Sequence, residues 1–194
     1  MANFSILLAA SAEKKPGGNP FAPDMFDYRS SNTFNYFHEL NPDRRTLIRG
    51  LQSALESSRK PEQLLGLEGD ALQTAIEVDL ELFNAPLISA LERYSPGVLF
   101  SAMNFQGLPT GAQRRLLENG VIFSPVFGVL RPDDLIPDYQ LGFSTKIPKL
   151  GVVAAFWKKH MSDLLNERLA DRVVWNVLPK ECEKAWRDDH TYSR

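Results

Sequence analysis

Arg131, Asp133, Asp134 and Tyr139 follow one another closely in residues 121–143, VIFSPVFGVLRPDDLIPDYQLGF. A guanidinium can clamp an oxyanion with two parallel hydrogen bonds. A carboxylate beside it can take or return a proton. The setting suits such work. Val121-Ile122-Phe123 and Phe127-Gly128-Val129-Leu130 read as buried strand ends, and Gly128, Pro132 and Pro137 read as sharp turns. Loops on a rigid scaffold are where sites gather. The same residues also read as an Arg–Asp pair that only pins a loop, because structural ion-pair networks have this composition.

A second candidate lies at the other end of the chain. Residues 3–10 read as a first buried strand, and Ser11 and Lys14 follow it directly. A hydroxyl, loop amides and a cation in that order can hold an anion. The plain alternative is an exposed loop lysine, the usual fate of lysine.

The elements that must position these residues can be read in order. Asn41 is a helix N-cap with Pro42 at the first helical position. Leu47, Ile48, Leu51, Ala54 and Leu55 then form one apolar face. Arg44, Arg45 and Arg49 fall off that face, where they either grip phosphate or keep the surface soluble. Residues 61–76 read as helix, Gly66-Leu67-Glu68-Gly69, helix. That pattern resembles a helix-hairpin-helix, whose hairpin amides and second helix N-terminus hold a phosphate. Glu68 and Asp70 argue for a plain helical hairpin instead, since both put negative charge where the phosphate would sit. Residues 41–94 thus form a helical insert within one domain.

Residues 21–40 carry Phe21, Phe26, Tyr28, Phe34, Tyr36 and Phe37 with no clean period. An irregular arm wrapping the core is the favoured reading, and a base-stacking platform the other. Helices are expected over 109–118 and 152–169, the second with Phe156, Trp157, Met161 and Leu165 inward and His160 packed beside them. Residues 172–177 read as a buried strand, and Pro179 starts a last helix ending at Trp186. Strands interleaved with helices by mixed connections give an α+β (mixed α/β) fold with a central mixed sheet.

Composition narrows the function. A chain of 194 residues suits one domain with a sizeable core. A formal net charge of -2 gives no global basic field, so nucleic-acid binding needs a local patch. A single Cys, Cys182, permits no internal disulfide and fits a reducing cytoplasm. Three scattered His make a His-based metal site unexpected, and no motif names a cofactor. The apolar run at 4–10 is too short to span a membrane.

Phe127-Gly128-Val129-Leu130-Arg131-Pro132-Asp133-Asp134 and Ile136-Pro137-Asp138-Tyr139-Gln140-Leu141 resemble the signature of the YaaA family of peroxide-stress-resistance proteins. Gln140 stands where that family usually has Arg. Ser11 and Lys14 match its Ser-x-x-Lys, with Ala10 in place of the usual Pro. Gly97 fits its Tyr-x-Gly segment, although Phe100 replaces a Tyr. Asn176 and Glu181 match a later motif. The resemblance runs from Ile6 to Trp186 and implies a mixed sheet embraced by helices. It also implies a helix-hairpin-helix near residues 61–76, with Gly66, Gly69, Arg44 and Arg45 as DNA contacts. Ser11, Lys14, Gly97, Arg131, Asp134, Tyr139, Asn176 and Glu181 are expected in one cleft at neighbouring strand ends. Two functions follow as expectations. One is a peroxide-stress protein that binds DNA or a nucleotide-like anion. The other is an enzyme acting on a nucleobase or nucleoside, or a biosynthetic enzyme of a related pathway. In it Lys14 is electrophile or nucleophile, and Asp134 or Glu181 is the general acid/base. Family members continue for further strands, so a homodimer or a second protein chain is expected to complete the sheet beside residues 172–177; the plain alternative is that residues 187–194 fold back and cap that edge.

Overall fold

Apolar runs in the sequence become the strands of a four-stranded main sheet, with two two-stranded pairs beside it, and helices with one apolar stripe cover it. The computed structural model describes residues 3–20 and 36–193. The order is β1 (Phe4–Ala9), α1 (Asn41–Ser57), α2 (Pro61–Leu65), α3 (Gly69–Leu80), β2 (Ile88–Ser89), α4 (Ala90–Arg93), α5 (Val98–Met103) and α6 (Thr110–Asn119). There follow β3 (Gly120–Ser124), β4 (Gly128–Leu130), β5 (Leu135–Ile136), β6 (Lys146–Ile147), β7 (Gly151–Val152), α7 (Val153–Leu169), β8 (Val173–Asn176) and α8 (Lys180–Glu183). Phe21, Phe26, Tyr28 and Phe34 of the aromatic arm lie outside the described residues.

The main sheet has the order β4-β3-β1-β8. β1 lies parallel to β3 and to β8, with Leu8 opposite Ile122 and Ile6 opposite Trp175. β4 returns antiparallel to β3, with Ser124 opposite Gly128 and Ile122 opposite Leu130. Every residue of β3 is buried, as a strand with both faces covered should be. The turn into β4 works because Gly128 sits at φ +73°, and a Cβ there would come within 2.8 Å of the Trp157 ring. Trp157 is itself fully buried and donates its indole N–H to the Pro125 carbonyl at 2.7 Å. This mixed sheet surrounded by helices is the α+β fold read from the sequence.

Three local expectations change. Asn41 is the first residue of α1 and is buried, with Leu40 as the cap. Its Oδ1 accepts from Arg44 Nη1 at 2.9 Å instead of capping the helix. Arg44 does not lie off the apolar face: it is fully buried. Its Nε and Nη2 donate to the carbonyls of Phe127 (2.9 Å) and Val129 (2.8 Å). A guanidinium thus occupies the outer edge of β4, where another strand would otherwise bond. The last helix stops at Glu183, short of Trp186.

The other edge of the sheet, β8, meets the chain's own tail. Val174 N–H donates to the Ser193 carbonyl at 2.8 Å, and Ser193 N–H to the Arg172 carbonyl at 2.9 Å. Among the described residues one face of β1 and β8 stays open. Phe4, Ile6, Val173 and Trp175 line an apolar hollow of about 480 Å³, and Trp175 is 65% exposed. Among the described residues no helix is long and apolar enough to cross a membrane.

Candidate functional site

The C-terminal ends of the parallel strands collect the polar residues. β1 leads to Ser11 and Lys14, β3 ends at Ser124, and the loop after β5 brings in Asp138 and Tyr139. Lys14 lays its ammonium over the Tyr139 ring, 4.3 Å from the centroid, and donates to the Ala12 carbonyl at 3.1 Å. Desolvation pulls Lys14 from 10.5 down to about 8, and the charges of Asp138 and Asp79 only partly restore it.

Beneath the lysine runs a chain of hydroxyls. Tyr139 Oη lies 2.8 Å from Tyr94 Oη and 3.0 Å from Ser124 Oγ. Both tyrosines are fully buried, and burial pushes Tyr94 up to about 12 and Tyr139 well above its usual value. They therefore act as neutral hydrogen-bonding groups, with Tyr139 giving the ammonium a π face.

Asp79 is the group that sequence reading missed. It comes from the last turn of α3 and is fully buried. Its Oδ1 accepts the Gln140 N–H at 2.7 Å, while its Oδ2 has no hydrogen-bond partner among the described residues. Desolvation raises its pKa from 3.8 to about 7, against the Gln140 hydrogen bond and the charge of Lys14. Arg93, also buried, ties this corner together through the carbonyls of Lys15, Pro86 (3.1 Å) and Ile136 (3.2 Å), and its Nε likewise has no partner among the described residues. Buried polar atoms rarely lack partners. An unfilled acceptor and an unfilled donor near a cation make this corner the candidate place for a polar ligand. The sequence held a signal for Asp79. It interrupts the apolar stripe Leu72, Ala75, Ile76, Leu82 at helical spacing.

The expected cleft is only partly assembled. Ser11 and Gly97 touch: a Cβ on Gly97 would sit 2.0 Å from Ser11 Oγ, so glycine is what admits the serine. Asn176 is at the same end of the sheet, with its Nδ2 donating to Glu183 Oε1 at 3.1 Å and its Oδ1 accepting from Leu178 N–H at 2.9 Å. Glu181, expected in the same cleft, is exposed.

Arg131 and Asp134 lie at the opposite end. β4 runs against β3, so Arg131 emerges beside the start of β3, far along the sheet from Ser124. Its Nε donates to the Leu117 carbonyl at 3.0 Å and lies 4.0 Å from Asp133 Oδ1, and its guanidinium stacks 4.1 Å from the Tyr36 ring centroid. Asp134 accepts the N–H groups of Tyr36 (3.0 Å) and Arg131 (2.8 Å), and burial lifts it to about 6. The single-cleft expectation is corrected: residues 131–134 pin a loop at one end, while Lys14 and Tyr139 face the other.

Residues 61–76 do form a short helical hairpin. Gly66 and Gly69 sit at φ +68° and +58°, both exposed with open space beside them. Arg45 is half-buried, and the burial of Arg44 removes it from any DNA contact. His160 packs as expected, stacked on Phe156 at 4.4 Å and 2.7 Å from Asp43. Cys182 is buried, and desolvation holds its thiol up at about 12.

Comparison with known proteins agrees with the signature. A UPF0246 protein of Streptomyces coelicolor is 31% identical over 128 residues, covering 66% of this chain and 48% of that protein. A UPF0246 protein of Corynebacterium glutamicum is 32% identical over 164 residues, covering 82% of this chain and 61% of its own. One of Corynebacterium efficiens is 35% identical over 143 residues, with coverage of 74% and 52%. The chain therefore spans about half to three fifths of the length of these relatives. The family model described as peroxide stress protein YaaA matches residues 5–194, and the chain belongs to that family.

Proposed function

We propose that this member of the peroxide-stress family binds a nucleobase- or nucleotide-like ligand at the Lys14 site. The observation that carries the reading is the pairing of a half-buried ammonium over Tyr139 with a buried Asp79 whose Oδ2 has no hydrogen-bond partner among the described residues. A nucleobase edge sets an N–H beside a carbonyl or ring nitrogen. The N–H would donate to Asp79 Oδ2, and the neighbouring acceptor would take a hydrogen from Lys14 or Arg93. Lys14 near 8 and Asp79 near 7 also suit proton exchange with such a ligand, which is the basis of the enzymatic alternative. The test is calorimetric titration of a panel of nucleobases, nucleosides and nucleotides, with product analysis. At least one class should bind, and Lys14→Met should weaken it by about tenfold or more, some 1.4 kcal/mol. No binding across the panel, or equal binding by the variant, would remove this reading.

A second reading rests on the hairpin. Two exposed glycines in left-handed conformation between short helices favour duplex phosphate at residues 66–69. Gly66→Asp should then weaken DNA binding uniformly across sequences and lower its salt slope, measured by anisotropy at several salt concentrations. Unchanged affinity would leave residues 61–76 as a structural hairpin.

A further inference from the structure

Arg131 and Arg172 converge at the N-terminal end of the sheet, away from Lys14. Together with Ser5, Tyr36, Asn119 and Arg168 they line a cavity of about 170 Å³. Arg172 Nε donates to Ser5 Oγ at 2.7 Å, and its Nη2 to Asn119 Oδ1 at 2.9 Å and to the Phe4 carbonyl. Arg131 spends its Nε and Nη2 on the Leu117 carbonyl. Both cations are thus held by neutral oxygens. Among the described residues neither donates to a carboxylate, the nearest being Asp133 at 4.0 Å from Arg131 Nε. The other acids near the rim are already paired, Glu39 with Arg168 at 2.7 Å and Glu118 with Arg114 at 2.9 Å. Burial, and then the charge of Arg131, push Arg172 below its usual value. Two like charges held across one small cavity repel unless an anion lies between them. Planar guanidiniums match the tetrahedral oxyanion of a phosphate group, and Ser5 and Asn119 add polar contacts.

We propose that this cavity is an anion site for a phosphate-type group, separate from the Lys14 site. The shared chemistry has two sources, a free small phosphate or the terminal phosphate of a nucleic-acid strand. The experiment titrates inorganic phosphate against the full chain at ionic strength matched with chloride, reading thermal unfolding and backbone amide resonances. Phosphate should raise the unfolding temperature more than chloride does and move the amides of Ser5, Asn119 and Gly120. Arg172→Gln should weaken phosphate affinity by about tenfold or more, the scale of a lost charge-assisted pair. Lys14→Met should leave it unchanged, which separates this site from the proposed ligand site. Should Arg172→Gln not fold, the amide shifts of the wild-type chain decide. No movement at Ser5, Asn119 and Gly120 overturns the proposal, as does a phosphate response that survives in a folded Arg172→Gln. A terminally phosphorylated oligonucleotide, compared with its unphosphorylated twin, distinguishes the sources. Preference for the phosphorylated strand over inorganic phosphate assigns a nucleic-acid end, and an equal response assigns a free anion.

Discussion

Burial moves Lys14 and Asp79 toward each other on the pH scale, and stability should record it. Folded Asp79 keeps its proton up to about 7, against an ordinary 3.8. Its contribution is complete below the ordinary value and is lost as pH rises through about 7. Lys14 runs the other way. Folded near 8 against 10.5, it holds fewer protons than the unfolded chain between those values, so its penalty is relieved as pH rises through that window. Asp79→Asn keeps an acceptor for the Gln140 N–H and removes the titration. It should therefore be more stable than wild type above neutrality, by on the order of a few kcal/mol, and the gap should shrink in mild acid. Denaturant unfolding at both pH values checks this, and a pH-independent difference would count against it. Tyr139→Phe removes the hydroxyl that joins Tyr94 to Ser124 and should cost about 1–2 kcal/mol in the same measurement. Lys14 and Tyr139 were legible in sequence by type and position. Asp79 was not singled out, because its partner Gln140 is distant in sequence and only the packing of α3 brings them together.

At the scale of elements, two close contacts govern where the segments sit. Arg44 joins α1 to β4 through two carbonyls. Arg44→Met leaves those buried acceptors empty and should cost about 3 kcal/mol or more. A smaller loss would mean that other contacts seat α1. Gly97 joins the start of α5 to the turn after β1 by admitting Ser11. Gly97→Ala should destabilise the chain and weaken ligand binding at the Lys14 site, and adding Ser11→Gly should restore much of the loss by removing the clashing atoms. No rescue in the double variant would show that the glycine serves another purpose. The bounds of β1, α6, α7 and β8 came through from periodicity to within a residue or two, while the last helix ends three residues early. The fate of Arg44 did not, since an arginine on the second turn of an amphipathic helix reads as surface. Nor did the separation of Arg131 from Tyr139. Eight residues of extended chain can cross about 26 Å, enough to travel from one end of a short sheet to the other.

For the whole molecule, the resemblance in residues 127–141 carried the family, and the mixed strand order carried the fold class. Association was also an expectation, on the ground that β8 would lack a neighbour. Ser193 meets part of that edge, but among the described residues the face of Phe4, Ile6, Val173 and Trp175 stays open. Contiguous exposed apolar surface of this kind marks an interaction site. We expect the chain to self-associate or to bind a partner chain through it, and Trp175→Lys to abolish that. Sedimentation decides: a clean monomer at every micromolar concentration, for both wild type and variant, would leave the face without self-association.

The central claim is that the strand ends of β1 and β3 hold Lys14 in a functional, desolvated site. Its most direct test is nuclear magnetic resonance titration of isotopically methylated lysines. One lysine signal should titrate near 8, vanish in Lys14→Met, and shift on addition of the nucleotide that binds best. If every lysine titrates at the ordinary value near 10.5, Lys14 is a solvated surface cation and the account of the site is wrong.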